Sequence, residues 1–170
     1  MKIIETENLI LRLVTKDDAA FILNLLNDST WIKFIGDKGV RTIEDAENYI
    51  VSGPLQMYSK YGYCLYLTEL KEDRIPLGLC GLIKRDGLED TDIGFGFLSE
   101  YQAKGYAYEA ASATLEYGIK QLELKRIVAI TSTDNHASSK LLEKIGMTFE
   151  KIVKLPGDEE KLKLYAKNKI

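Results

Sequence analysis

Apolar residues gather along the chain in short runs that are separated by polar turn residues. Most runs are rich in leucine, isoleucine, valine and tyrosine, which is typical of strands buried on at least one face. They cover residues 9–14, 63–70, 77–83, 93–98, 126–133, 148–155 and 161–167. The pattern predicts a central sheet of six to seven strands.

A second pattern repeats every three or four residues and predicts helices. Thr15 with Asp18, and Thr42 with Asp45, are capping signals for helices that end near residues 26 and 50. A further helix is predicted over 135–145, and 28–40 is predicted to be a loop or a short helix. The longest helix follows the run at 93–98, and its apolar face comprises Ala107, Ala110, Ala111, Thr114, Leu115, Gly118, Ile119 and Leu122.

The order of these elements indicates one α+β domain over residues 1–170. No Pro-, Gly- or Ser-rich linker, internal repeat or change in composition divides the chain. Short turns such as Pro156-Gly157-Asp158 connect antiparallel neighbours, whereas the run at 93–98 and the run at 126–133 flank the long helix and predict one parallel unit. The sheet should therefore be mostly antiparallel, with helices on its faces.

Composition and charge exclude several classes of protein. Hydrophobic residues make up 45% of the chain and charged residues 29%, with a net charge of -3, so the basic surface of a nucleic-acid-binding protein is absent. No apolar run is long enough to span a membrane, and acids interrupt the first residues, so we expect a cytoplasmic protein without a secretory signal. Cys64 and Cys80 lack a CxxC spacing or a paired histidine, and we expect neither a metal site nor a disulfide.

The segment Gln102-Ala103-Lys104-Gly105-Tyr106-Ala107 connects the strand at 93–98 to the long helix. The first N–H groups of a helix lack internal partners and carry part of the helix dipole, and glycine lets the backbone approach an anion closely. Lys104 adds a full positive charge. The segment therefore predicts a phosphate-binding loop, although the same sequence could form an ordinary helix start with a solvated lysine.

Three stretches in order identify a family. They are Glu7-Asn8-Leu9-Ile10-Leu11-Arg12, the run 93–110 with Gln102, Gly105 and Ala107 in a Q/R-x-x-G-x-A pattern, and Asn135-His136-Ala137-Ser138 leading to Leu142-Glu143-Lys144-Ile145-Gly146-Met147. Together they resemble the GNAT family of N-acetyltransferases, and within it the ribosomal-protein-type branch of N-terminal acetyltransferases. The resemblance runs nearly end to end.

The resemblance implies acetyl-coenzyme A as the cofactor, bound in a cleft between two splayed central strands. Main-chain groups near residues 97 and 98 would pair with the pantetheine arm, the loop would hold the pyrophosphate, and an amine would attack the thioester directly in a ternary complex. The cofactor contacts carried over are Phe97, Leu98, Gln102, Ala103, Lys104, Gly105, Tyr106, Ala107, Asn135 and Ser138.

The chain departs from the family pattern at three positions. Ala103 replaces a frequent glycine, Met147 replaces a core phenylalanine, and Leu142 stands where many relatives carry a tyrosine as general acid. Ser138 becomes the candidate acid, although a serine at that place in a helix is often only a capping partner. Asp92 is the candidate general base, acting through water, although a charged strand end is usually only solvated.

The acceptor is less defined. Trp31 and Phe34 lie in the segment that covers the acceptor side in the family, and packing would explain them as well. The acids Asp90, Asp92 and Glu100 predict surroundings that attract a cationic substrate, such as a small-molecule amine or a peptide N-terminus. Alternatives are a catalytically silent coenzyme A-binding module and, less favoured, an ordinary nucleotide-binding protein. The family also makes a homodimer conceivable.

Overall fold

A computed structural model describes the whole chain, residues 1–170. Eight strands form one open sheet in the order β1-β2-β3-β4-β5-β6-β8-β7. All neighbours pair antiparallel except β5 and β6. The strands are β1 (Lys2–Glu5), β2 (Leu9–Arg12), β3 (Leu65–Leu70), β4 (Pro76–Ile83), β5 (Thr91–Phe97), β6 (Arg126–Ser132), β7 (Thr148–Val153) and β8 (Leu162–Asn168).

Helices cover both faces of the sheet. The helices are α1 (Ala19–Leu26), α2 (Ser29–Phe34), α3 (Ile43–Ile50), α4 (Gln56–Tyr61), α5 (Tyr106–Lys120) and α6 (His136–Lys144). Both predicted capping boxes are present, at Thr15 and at Thr42. A π-helical turn, Val51–Leu55, joins α3 to α4.

The predicted α+β architecture with a mostly antiparallel sheet is confirmed, with one strand more than the expected six to seven. The additional strand, β1, was missed because Lys2 and Glu5 bracket only two apolar residues, too few for a periodic signal. Helix α4 was also missed, since Pro54 lies in the turn before it and normally marks a helix boundary. None of the helices is long and apolar enough to cross a membrane.

Small side chains let α5 lie close to the sheet. Ala110 and Ala111 are fully buried against one sheet face, and a Cβ atom on Gly118 would stand 2.6 Å from Cδ1 of Ile127. Helices α1 to α3 cover the opposite face with larger residues such as Ile22 and Ile50, both fully buried and each contributing about 2 kcal/mol. Two apolar layers therefore fix the sheet between them.

The cysteines Cys64 and Cys80 are buried and unpaired.

The parallel pair β5 and β6 separates after two residue pairs. Thr91 is opposite Ile127 and Asp92 is opposite Val128, and no pairing follows. Beyond that point β5 remains hydrogen-bonded to β4, and β6 is hydrogen-bonded to β8 along its full length. Each strand is thus held by its outer neighbour, and the two inner edges diverge with unpaired main-chain groups.

Glu109, in the first turn of α5, fastens this helix to the turn between β1 and β2. Its carboxylate accepts hydrogen bonds from the main-chain N–H of Asn8 and from the Asn8 side-chain amide, both at 2.9 Å, and from the Thr6 hydroxyl. Partial burial raises the pKa of Glu109, but these hydrogen bonds outweigh burial and hold it below the ordinary value. The clamp stabilises the helix start that borders the predicted phosphate-binding loop.

We expect Glu109→Gln to lower the free energy of unfolding by about 1 kcal/mol at neutral pH, because solvent screens a half-buried group. A depressed folded-state pKa gives stabilisation that is present above the unfolded pKa of about 4.3 and is lost as pH falls through the folded value. The free energy of unfolding, measured in urea, should therefore fall more steeply below about pH 5 in the wild type than in the variant. Glu116→Gln, on the exposed face of the same helix, is the control and should change little.

Candidate active site

The gap between β5 and β6 opens a cleft of about 600 Å³. Its walls include Trp31 from α2 and Ile35 just after that helix on one face of the sheet, and Tyr108 from α5 and Leu141 from α6 on the other. The cleft therefore passes between the strands and joins the two faces. Two reactants can approach one another from opposite sides of the sheet.

The loop before α5 presents a run of free main-chain donors. The first hydrogen bond of α5 runs from the N–H of Glu109 to the carbonyl of Gly105, 3.1 Å away, and the N–H groups of residues 103–108 have no acceptor within the protein. Ala103 and Gly105 have φ angles of 61° and 86°, in the left-handed region. Alternation of left-handed and ordinary residues turns successive N–H groups toward one point, which makes an anion-binding concavity.

Ala103 is strained in this loop. A non-glycine residue in the left-handed region costs about 1 kcal/mol, and Ala103 adopts this conformation, which glycine adopts without such a cost. Gly105 adopts the left-handed conformation without strain because glycine has no Cβ atom. A Cβ atom built there would have no neighbour within 4 Å. The space around Gly105 is therefore open in this structure.

At the end of β5, some main-chain groups form hydrogen bonds within the protein and others face the gap between β5 and β6. The N–H of Leu98 donates to the carbonyl of Leu77 on β4 at 3.0 Å, so it is not available to a ligand. Alternate residues face opposite sides of a strand, so the groups of Phe95 and Phe97 face the gap. The Phe97 carbonyl accepts a hydrogen bond of 3.0 Å from Nε2 of Gln102. The Phe97 N–H and both groups of Phe95 remain for a ligand.

Asn135 caps α6 and keeps a free donor. Its Oδ1 accepts a hydrogen bond of 3.2 Å from the N–H of Ser138, so the capping role is present. The side-chain NH₂ of Asn135 has no partner in the protein, and both Asn135 and Ser138 line the cleft. Leu142, one turn further along, also lines it and is buried, so no hydroxyl stands at that position.

On the side of the cleft that α2 covers, two positions of β5 have no side chain. Residues 92, 94 and 96 of β5 project to one face because side chains alternate along a strand. A Cβ atom on Gly96 would lie 2.5 Å from the Trp31 ring, and one on Gly94 would lie 2.9 Å from Ile83. The two glycines let α2 and its aromatic side chains lie directly on the strand, with Asp92 at the end of the row.

Asp92 is buried where the strands part. Its carboxylate receives two hydrogen bonds from Arg85, 3.2 Å from Nε to Oδ1 and 3.1 Å from Nη2 to Oδ2. Burial raises the pKa of Asp92, and the charge and hydrogen bonds of Arg85 oppose that rise only in part. A carboxylate whose proton affinity is raised, at a cleft, is a good candidate for a proton acceptor.

The acidic surroundings expected from the sequence are largely neutralised. Asp92 is paired with Arg85, and Asp90 accepts a hydrogen bond of 3.0 Å from Nε of Arg126. Glu100 is exposed and does not line the cleft. The three acids therefore do not form a common negative surface, because two of them are paired with arginines and the third lies outside the cleft.

Most of the predicted site residues meet in the cleft. Lys104 does not line it; its Nζ lies 5.9 Å from the centroid of the Tyr101 ring. Leu98 and Tyr106 also lie outside the lining, and Leu98 is buried beneath α2. The predicted residues that do line the cleft are Trp31, Phe34, Asp92, Phe97, Gln102, Ala103, Gly105, Ala107, Asn135 and Ser138.

Sequence reasoning missed Lys38, Arg85 and Tyr108, which also line the cleft. A signal existed for Arg85, since it follows the strand run 77–83 and precedes the turn that leads to Asp92. Pairing of the two strands across that turn would have predicted the contact. Lys38 lies in an aperiodic segment and carries no such signal.

Comparisons with known proteins agree with this geometry. The acetyltransferase (GNAT) domain matches residues 8–148. YnaD of Bacillus subtilis strain 168, an N-acetyltransferase named as uncharacterized, is 33% identical over 147 residues, which are 86% of this chain and 83% of YnaD. A GNAT-family acetyltransferase from Bacillus anthracis has a crystal structure with a TM-score of 0.81 and 31% identity, covering 99% of this chain and 98% of that one. RimL, a ribosomal L7/L12 alpha-N-protein acetyltransferase solved with coenzyme A, shares the fold at a TM-score of 0.84 and 17% identity, covering 99% and 98%.

Proposed function

The chain belongs to the acetyltransferase (GNAT) domain family, and from that premise we propose that it transfers an acetyl group from acetyl-coenzyme A to a primary amine. The family resemblance of the sequence is confirmed by this match. The observation that carries the proposal is the run of unpaired N–H groups at residues 103–108, beside the free edge of β5 and at one end of a cleft that crosses the sheet.

The residues present fit the donor. The N–H groups of the loop and the positive end of α5 suit a pyrophosphate, and Lys104 adds charge nearby. The free groups of Phe95 and Phe97 suit an extended amide chain that joins the sheet as a further strand. Asn135, whose NH₂ has no partner in the protein, lines the same cleft. Bound acetyl-coenzyme A would supply a thioester as the electrophile.

The proton transfers are assigned to Asp92 and Ser138. Asp92, directly or through one water, accepts the proton that leaves the amine nitrogen. With acetyl-coenzyme A bound, the N–C bond would form as the C–S bond breaks, and the Ser138 hydroxyl would give a proton to the departing sulfur and regain one from solvent. An N–H group on the free edge of β5 stabilises the charge that develops on the carbonyl oxygen. Both residues line the cleft, which supports these roles.

The amine has to be neutral to attack. An α-amino group with a pKa of about 8 is roughly one-tenth free at pH 7, whereas a lysine side chain with a pKa of about 10.4 is less than about one-thousandth free. An α-amine, on a small molecule or at a peptide N-terminus, is therefore the easier acceptor.

Release of free thiol from acetyl-coenzyme A in the presence of a panel of α-amines, lysine analogues and polyamines tests the function. We expect release above background with one or more α-amines, and mass spectrometry should find the acetylated amine. Binding of coenzyme A without thiol release for any amine would instead support a silent coenzyme A-binding module.

We expect Asn135→Asp to separate capping from cofactor binding. Aspartate keeps the oxygen that accepts from the Ser138 N–H and is an equally good cap, so thermal stability should change little. It lacks the NH₂ donor and adds a negative charge, so the Kd for coenzyme A should rise about tenfold. Calorimetry checks the affinity, and Asn135→Ala is the comparison, which should lose both. An unchanged Kd for Asn135→Asp would leave Asn135 as a cap alone.

A further inference from the structure

Two cationic side chains line the cleft on the acceptor side. Lys38 lies in the loop between α2 and α3, and Arg85 follows β4. Arg85 uses Nε and Nη2 on Asp92, and its Nη1 makes no hydrogen bond. Lys38 has no carboxylate partner. The cleft thus contains one unpaired ammonium group and one guanidinium nitrogen with unused donors.

The two cations act on each other. Lys38 keeps contact with solvent, but the walls of the cleft displace water from its ammonium, and this partial desolvation, together with the charge of Arg85, lowers the pKa of Lys38. Like charges held together in a partly desolvated site are unfavourable without an anion between them. A bound anion would therefore offset the positive charge of this part of the cleft.

Asp92 balances the charge of Arg85, so Lys38, Arg85 and Asp92 together carry one positive charge in excess. The other acids of the cleft do not neutralise that charge. Asp158 and Glu160 line the mouth of the cleft on the turn between β7 and β8, where both are exposed, and the Asp158 carboxylate accepts a hydrogen bond from the N–H of Glu160. Neither forms an ion pair with Lys38 or Arg85.

We propose that the acceptor amine carries a carboxylate, which binds between Lys38 and the free Nη1 of Arg85. This inference rests on the proposed function and names the substrate class of that site. Two separate donors match the two oxygens of a carboxylate, and Asp92 on the other side of Arg85 takes the amine. An acceptor whose amine and carboxylate lie a few bonds apart, as in an amino acid, spans the two subsites.

Two sources share this chemistry, a free amino acid and a peptide N-terminus with an acidic side chain next to it. Each is tested with a matched pair of ligands. The first pair is an amino acid and its carboxamide, and the second is a short peptide with glutamate or glutamine as its second residue. A carboxylate preference in the first pair alone identifies the small molecule, and a preference in the second pair alone identifies the peptide.

Binding is measured by fluorescence of Trp31, the single tryptophan of the chain, which lines the cleft. This signal does not depend on acetyl transfer. We expect the carboxylate member of one pair to bind about tenfold more tightly than its neutral partner in the wild type. Lys38→Met should remove most of that ratio, whereas Lys60→Met, an exposed lysine outside the cleft, should keep it. Comparing ratios between proteins cancels the difference in amine pKa between the two ligands.

Equal affinities for both members of each pair, tighter binding of the neutral members, absence of binding by all four ligands, or a ratio that Lys38→Met leaves intact would overturn the carboxylate subsite. The thiol-release assay on the same four ligands separates the two proposals. Carboxylate-dependent binding without thiol release would reject the proposed function and keep the subsite. Thiol release without a carboxylate preference would reject the subsite and keep the proposed function.

Discussion

Gly105→Glu is expected to abolish coenzyme A binding while the protein stays folded. The side chain would enter the open space beside the free N–H groups of the loop, because a Cβ atom at Gly105 has no neighbour within 4 Å. A carboxylate there takes the place of the pyrophosphate and repels it, and like-charge contact costs several kcal/mol. We expect the Kd for coenzyme A to rise at least about 100-fold by calorimetry.

Gly62→Glu is a matched control. Gly62 has a φ of 82°, close to the 86° of Gly105, and likewise has no neighbour within 4 Å of a Cβ atom, but it ends α4 outside the cleft. Both variants add the same charge and the same backbone strain of about 1 kcal/mol. Only the Gly105 variant should lose affinity, and Gly105→Ala should lie between it and the wild type. Equal affinities of the two glutamate variants would show that the loop does not bind the phosphates.

The elements of the fold were predictable where the apolar pattern is long and periodic. The seven predicted runs are strands β2 to β8, and the long apolar face belongs to α5 from Ala107 to Ile119, while Leu122 lies just beyond the end of the helix. Short elements were not predictable, since β1 has only two apolar residues and its strand conformation comes from pairing with β2. Local propensity fixes long elements, and tertiary pairing fixes short ones.

The donor side of the site was predictable because its groups are consecutive in the sequence. A glycine before a helix presents main-chain N–H groups whatever the rest of the protein does, and Gly105 does so here. The acceptor side depends on groups that are distant in the chain, such as Trp31 on Gly96 and Arg85 on Asp92. Gly94 and Gly96 lie two residues apart in β5. This spacing in a strand indicates a bare face on which another element can pack.

The splay that creates the cleft has no signature in either strand alone. Whether β5 and β6 stay together depends on their outer neighbours, which pair with them beyond Asp92 and Val128. Only the family resemblance implied it from the sequence. The structure adds that the point of divergence carries a buried carboxylate, Asp92, which is the proton acceptor that we propose.

Asp92→Asn is therefore expected to lower kcat/KM about 100-fold at pH 7, within the range for loss of a general base. Asparagine has nearly the same shape but cannot accept the proton of the amine. The loss should shrink as pH rises, because an α-amine with a pKa of about 8 loses its proton to solvent without help above about pH 9. A pH–rate profile of wild type and variant, with an α-amine that the thiol assay identifies, measures both effects.

A merely structural role for Asp92 would give a different profile. Loss of the Arg85 contact alone would lower the rate by the same factor at every pH, and that outcome would contradict the assignment of Asp92 as the base. Asp90→Asn is the matched control, since it removes a comparable arginine contact two residues away and outside the cleft. We expect the Asp90 variant to retain the wild-type profile, with a rate within about threefold, as for an exposed ion pair of small energy.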